Sequence, residues 1–145
     1  MILQVRGLSF RYNSHRVLSD VQFTVGEHEI LAILGPNGVG KTTLLRCLNA
    51  MIRPEQGAVL LGGRDVLSLG RDEIAREMAY VSQRADTGPI TAFDAILLGR
   101  RPHIGWSVSR NDILKVQAMI DQLSLGELAL RHIDSMSGGE LQKVV

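Results

Sequence analysis

The chain has 145 residues, 45% of them hydrophobic and 21% charged, a composition that fits a soluble globular domain and excludes disordered and fibrous classes. Its 16 Lys plus Arg against 15 Asp plus Glu leave a net charge of +1, too small to indicate a nucleic-acid surface. The single cysteine excludes an internal disulfide, and no apolar stretch reaches the roughly 20 residues that span a bilayer, so the sequence reads as cytoplasmic, with any membrane role peripheral.

In chain order, Val21, Phe23 and Val25 alternate with polar residues, as in a strand with one buried face. Residues 30–34 are nearly all apolar, which predicts a central strand buried on both faces. Residues 42–51 carry leucines at helical spacing, and Cys47 falls beside Leu44, Leu45 and Leu48, the position of a buried structural thiol. Residues 59–61 before Gly62-Gly63 read as a strand entering a turn. A helix over residues 71–78 leads into a small strand, residues 79–82. Beyond Gln83, Thr87-Gly88-Pro89 forms a loop and a helical region follows, which places a boundary between subdomains there. Ser109 with Asp112 makes a capping box, and Ile113, Val116, Ile120 and Leu123 line one face of the next helix.

Gly35-Pro36-Asn37-Gly38-Val39-Gly40-Lys41-Thr42 fits G-x-x-x-x-G-K-[ST] at every fixed position, between an apolar run and a helix. Glycines let the backbone fold so that successive amides point inward, and the helix N-terminus adds a positive dipole. Lys41 would neutralise the outer phosphates of a nucleotide, and the Thr42 hydroxyl would serve Mg²⁺, which prefers oxygen ligands. The four histidines, His15, His28, His103 and His132, show no ligand spacing, so no histidine metal site is expected.

A phosphate loop alone is shared by kinases, GTPases, helicases and transporters. Three further features discriminate: Tyr12 in "FRYNSHRVL", Gln83 closing "AYVSQ", and "SMSGGE" at residues 135–140. This set, in this order, resembles the ATP-binding subunit of ATP-binding-cassette (ABC) proteins along the whole chain. The resemblance implies an α/β P-loop ATPase with an N-terminal antiparallel β subdomain and a helical subdomain. Residues 1–84 would be the β subdomain and P-loop core, 85–135 the helical subdomain, and 136–145 the signature and the start of its helix. It further implies that Tyr12 stacks on adenine with Val17 beside it, and that residues 35–42 together with Thr43 hold the phosphates. Lys41 and Gln83 would be catalytic, Thr42 and Gln83 would serve Mg²⁺, and Ser137, Gly138, Gly139 and Glu140 would form the signature that closes over the nucleotide of a second subunit.

Met136 stands where leucine is usual, which keeps an apolar anchor, and Glu140 stands where glutamine is usual, a glutamate also found in the importer branch. The family pattern continues with an apolar strand ending in Asp-Glu and a switch histidine. Neither lies within these 145 residues, so the sequence resembles an N-terminal fragment with negligible ATPase turnover of its own and an unpaired, apolar edge at residues 30–34. The stretch "FDAILLGRRPHIGW" resembles the helical subdomain of importers for iron-siderophore, haem and cobalamin, where it receives a helix from the membrane subunit. Phe93, Ile96 and Leu97 read as ordinary packing, while Arg100 to Trp106, a Trp with Arg, Pro and His, suits a docking surface. The resemblance thus implies Mg²⁺ and ATP, a head-to-tail ATPase dimer and transmembrane permease partners at the cytoplasmic membrane face. A soluble, non-transport ABC ATPase and a non-hydrolysing nucleotide-binding module are the alternatives.

Overall fold

A computed structural model describes residues 2–83 and 88–144. The chain divides into two compact units, Met1–Met78 and Ala79–Val145.

In the first unit, β1 (Leu3–Tyr12) and β2 (His15–Val25) form a hairpin, joined on the other side of β1 by β3 (Gln56–Leu61) and then the short β4 (Arg64–Asp65). The order is β2-β1-β3-β4 and every pairing is antiparallel. Tyr12 faces His15 across a two-residue turn in which Asn13 takes the left-handed conformation, φ 51°. The predicted turn after β3 uses Gly62 and Gly63 at φ 54° and 81°, the doubly left-handed geometry that twists with a hairpin and favours glycine. The alternation expected over Val21, Phe23 and Val25 lies within β2, with those three partly buried and Gln22 and Thr24 between them exposed.

β1 breaks simple alternation. Val5 and Leu8 are both buried although three residues apart, because the pairing with β2 shifts register between them, next to Gly7 at φ 59°. The core is made by Val5, Leu8, Leu18, Val59 and Leu61 of the sheet, Leu44, Cys47 and Leu48 of α1 (Lys41–Leu48), and Ile74 of α2 (Arg71–Glu77). Cys47 is fully buried, and burial raises its thiol pKa to about 11, because a thiolate there would lose its water. Arg64 holds α2 to β4 through ion pairs with Glu73 and Glu77.

Two expected strands do not form. Residues 30–34 lie outside every ladder of the described residues, and Ile30 and Leu34 are 98% and 89% exposed. Residues 79–82, ahead of Gln83, also form no strand, and Val81 is exposed. An apolar run states a demand for burial, but a central strand forms only where ladder partners lie on both sides, and the described sheet supplies none to either segment.

The second unit is helical. α3 (Ala92–Gly99) begins at Thr91, whose hydroxyl accepts from the Asp94 amide. α4 (Arg110–Gln122) begins with the expected capping box: the Ser109 hydroxyl accepts from the Asp112 amide, and the Asp112 carboxylate accepts from the Ser109 amide. Val116, Ile120 and Leu125 form the core, with Phe93, Ile96 and Leu97 of α3 packed against it. Ile113 and Leu123, expected on the same buried face, are 46% and 44% exposed, so only the middle of the α4 stripe is covered. Arg100, just past α3, pairs with the buried Asp112 at 3.0 Å and ties the two helices together. A last helix, α5 (Gly138–Val144), packs through Val144 on this core. The loop expected at Thr87 lies outside the described residues.

Candidate nucleotide site

In the first unit, the loop at the start of α1 leaves backbone amides that could receive an anion. Gly40 caps the helix with φ 106° and offers no side chain to its amides. The first helical hydrogen bond is donated by the Leu44 amide to the Gly40 carbonyl at 2.8 Å, which leaves the amides of Lys41, Thr42 and Thr43 without helical acceptors. Those N–H groups and the helix dipole favour negative charge at one place. The Lys41 ammonium folds back over the loop and donates to the carbonyls of Gly35 and Pro36, each at 2.7 Å. Neutral carbonyls are weak partners for an ammonium compared with an anionic phosphate, so this contact holds the charge ready without consuming it.

The loop is locked onto β2 at Gly40. A Cβ there would lie 2.8 Å from Val17 Cγ1 and 3.2 Å from both Leu18 Cδ2 and the Val17 carbonyl oxygen. Val17 therefore touches the loop. Tyr12 stands at the tip of the same hairpin, 46% exposed, its ring edge-on to Phe10 with centroids 4.8 Å apart. The phenol ring is propped by Phe10 yet keeps accessible surface for a planar ligand. Pro36, Asn37, Gly38 and Val39 are exposed along the loop, and Thr42 is exposed with no hydrogen bond from its hydroxyl among the described residues. Thr43 is buried, so its side chain is closed to a ligand.

In the second unit, Gln83 is exposed on backbone that forms no strand. The Ser137–Glu140 segment is a closed network. One carboxylate oxygen of Glu140 accepts from the Ser137 amide at 2.8 Å and the Ser137 hydroxyl at 2.7 Å, while the other accepts from Arg131 at 3.1 Å. The Ser137 hydroxyl, then its amide, and the Arg131 guanidinium together lower the Glu140 pKa. Side chains at Gly138 or Gly139 would meet open space. Arg131 is absent from any motif of the sequence. It lies nine residues before Glu140, across a short 3-10 turn (Ile133–Ser135), and no periodicity links the two.

Residues 18–145 match the family model described as ABC transporter. The chain belongs to the ABC transporter family. It is 45% identical over its whole length to an uncharacterized ABC transporter ATP-binding protein of Methanocaldococcus jannaschii, of which it covers 57%. It is 34% identical, again over its whole length, to a cobalamin import ATP-binding protein of Halobacterium salinarum, of which it covers 37%. Among solved structures, the ATP-binding subunit of an ABC transporter superposes with a TM-score of 0.83 at 25% identity, covering 99% of this chain and 59% of that one. The ABC chain thus spans roughly a third to three fifths of the length of these proteins. Its fold is that of the ABC ATPases, a P-loop architecture with an antiparallel sheet and helices. No helix among the described residues is long and apolar enough to cross a membrane.

Proposed function

We propose that this chain is the ATP-binding part of an ABC importer that couples ATP binding and hydrolysis to uptake of an iron-chelate, haem or cobalamin-type substrate. The observation that carries the reading is the start of α1: three amides without helical acceptors, and an ammonium held at the loop by carbonyls alone. Lys41 would exchange those carbonyls for β- and γ-phosphate oxygens, and Tyr12 would take the adenine face while Val17 packs beside it. Mg²⁺ would find an oxygen ligand in the exposed Thr42 hydroxyl and would neutralise phosphate charge there. Ser137, Gly138 and Gly139 would contact the nucleotide of a second copy in a head-to-tail dimer.

The import reading draws support from the cobalamin relative and from the surface that follows α3. Leu97, Leu98, Ile104, Trp106 and Val108 line a groove of about 440 Å³, and the Trp106 ring is wholly exposed. Such a groove suits a helix from a transmembrane permease subunit, which would hold the chain at the cytoplasmic membrane face. Titration calorimetry tests the core of the reading: Mg·ATP binds the parent, and Lys41→Ala weakens it by about 1.5 to 3 kcal/mol, tenfold or more. Equal affinities would refute the nucleotide role of Lys41. Trp106→Glu should abolish co-purification with permease subunits while ATP binding persists, and unchanged co-purification would refute the docking surface.

A further inference from the structure

Glu140 places a carboxylate one helical turn from the residues that the proposed function brings to a triphosphate. An uncompensated negative charge at that distance repels phosphate, and the repulsion is strong where two protein surfaces exclude water. The structure answers this charge with Arg131. Its Nη1 meets the Glu140 carboxylate at 3.1 Å, and its Nη2 donates to the Ser135 carbonyl at 3.2 Å. The guanidinium is thus fixed from both sides, by the backbone just before Ser137 and by the side chain just after Gly139. The other carboxylate oxygen remains on the Ser137 amide and hydroxyl, so the serine's orientation and the charge balance depend on one ion pair.

We propose that Arg131 is a positioning residue for the signature segment, acting through Glu140: it neutralises the carboxylate and holds it against Ser137, so that the segment meets a triphosphate without a net negative charge. This rests on the reading that Ser137, Gly138 and Gly139 contact the nucleotide of a second copy. The pair is a poor candidate for a stability device. The two side chains are 45% and 33% exposed, and ion pairs of that exposure contribute little to folding. Its effect belongs to the encounter with nucleotide, where the local surroundings become drier.

The test is a double-mutant cycle in the full-length protein, read as Mg·ATP-driven self-association and phosphate release, with urea denaturation alongside. Arg131→Ala should weaken both nucleotide readouts roughly tenfold when Glu140 is present, the scale of one unneutralised charge beside a bound anion. Against Glu140→Gln as reference, the same substitution should change them less than about twofold. The unfolding midpoint should not move in either background. Arg131→Lys should restore part of the loss, because it returns the charge without the two-sided geometry. Equal losses in both backgrounds, or no loss in either, would overturn the proposal. Ser137→Ala separates the layers: if it impairs self-association while Arg131→Ala does not, the role of Arg131 is wrong and the signature reading stands. If Ser137→Ala has no effect, both fail.

Discussion

Gly40 carries two separable demands, and substitution can weigh each. Its φ of 106° is one that residues with a side chain rarely adopt, and forcing alanine into such a region costs of order 1 to 3 kcal/mol. A Cβ would also lie 2.8 Å from Val17 Cγ1 and 3.2 Å from the Val17 carbonyl, too close for any real contact at the first and tight at the second. Overpacking of that kind adds about 1 to 3 kcal/mol. Gly38 is the control on the same loop: its φ is 82°, but a Cβ would find nothing within 4 Å. Gly38→Ala should therefore cost only the backbone term, and Gly40→Ala both. Urea denaturation followed by circular dichroism should place the Gly40→Ala midpoint roughly 1 M below that of Gly38→Ala, for a slope of about 1 to 3 kcal/mol per M. Val17→Ala removes the nearest atom, so the double variant Val17→Ala with Gly40→Ala should be less destabilised than the two single losses summed, by about 1 kcal/mol. It should not recover the parent, because the Val17 carbonyl and the φ penalty remain. Equal midpoints for Gly38→Ala and Gly40→Ala, or strict additivity with Val17→Ala, would refute the argument that β2 locks the loop by contact.

Three further outcomes are expected. Tyr12→Ala should weaken ATP by about 1 to 3 kcal/mol while Tyr12→Phe changes little, since the ring face rather than the hydroxyl carries stacking; calorimetry showing the Phe variant as weak as the Ala variant would contradict this. The Asp112 pKa is lowered to about 2, first by the Ser109 hydroxyl and then by Arg100, so its contribution to stability is complete above the ordinary carboxylate value of 3.8 and fades as the pH falls through 2. The stability gap between the parent and Asp112→Asn should accordingly be widest near neutral pH and close on acidification, and a gap independent of pH would refute the assignment. Leu34→Lys should reduce light scattering of concentrated protein, because Leu34 is 89% exposed in an unpaired apolar run, and unchanged scattering would locate aggregation elsewhere.

Local signals in the sequence proved to be reliable guides where the structure they describe is itself local. The capping box at Ser109 and Asp112, the turn at Gly62-Gly63 and the helix bearing Cys47 all depend on neighbours within four residues. β1 was not legible as an element because its apolar positions are broken by the register shift between Val5 and Leu8, which moves the inward face by one residue. Residues 30–34 misled for the opposite reason: their composition is that of a buried strand, and only pairing partners, which composition does not encode, could make them one. At the candidate site, the spacing of the loop glycines and Lys41 marks them as a proposed phosphate loop. The contact of Val17 with Gly40 and the link from Arg131 to Glu140 were not legible, because each joins segments that only the folded chain brings together.

Cys47 gives the first unit an internal clock. It is the chain's one thiol, it is wholly shielded, and it sits two turns along the helix whose first amides the proposed function gives to phosphate. An alkylating reagent can reach it only when that helix leaves its seat on the sheet, so the rate of labelling counts openings of the unit rather than the reactivity of the sulfur. Any anion that settles on the head of the helix must slow the count in proportion to its occupancy. The protein thus carries, without added dye or tag, a chemical reporter of how firmly the loop before α1 is held.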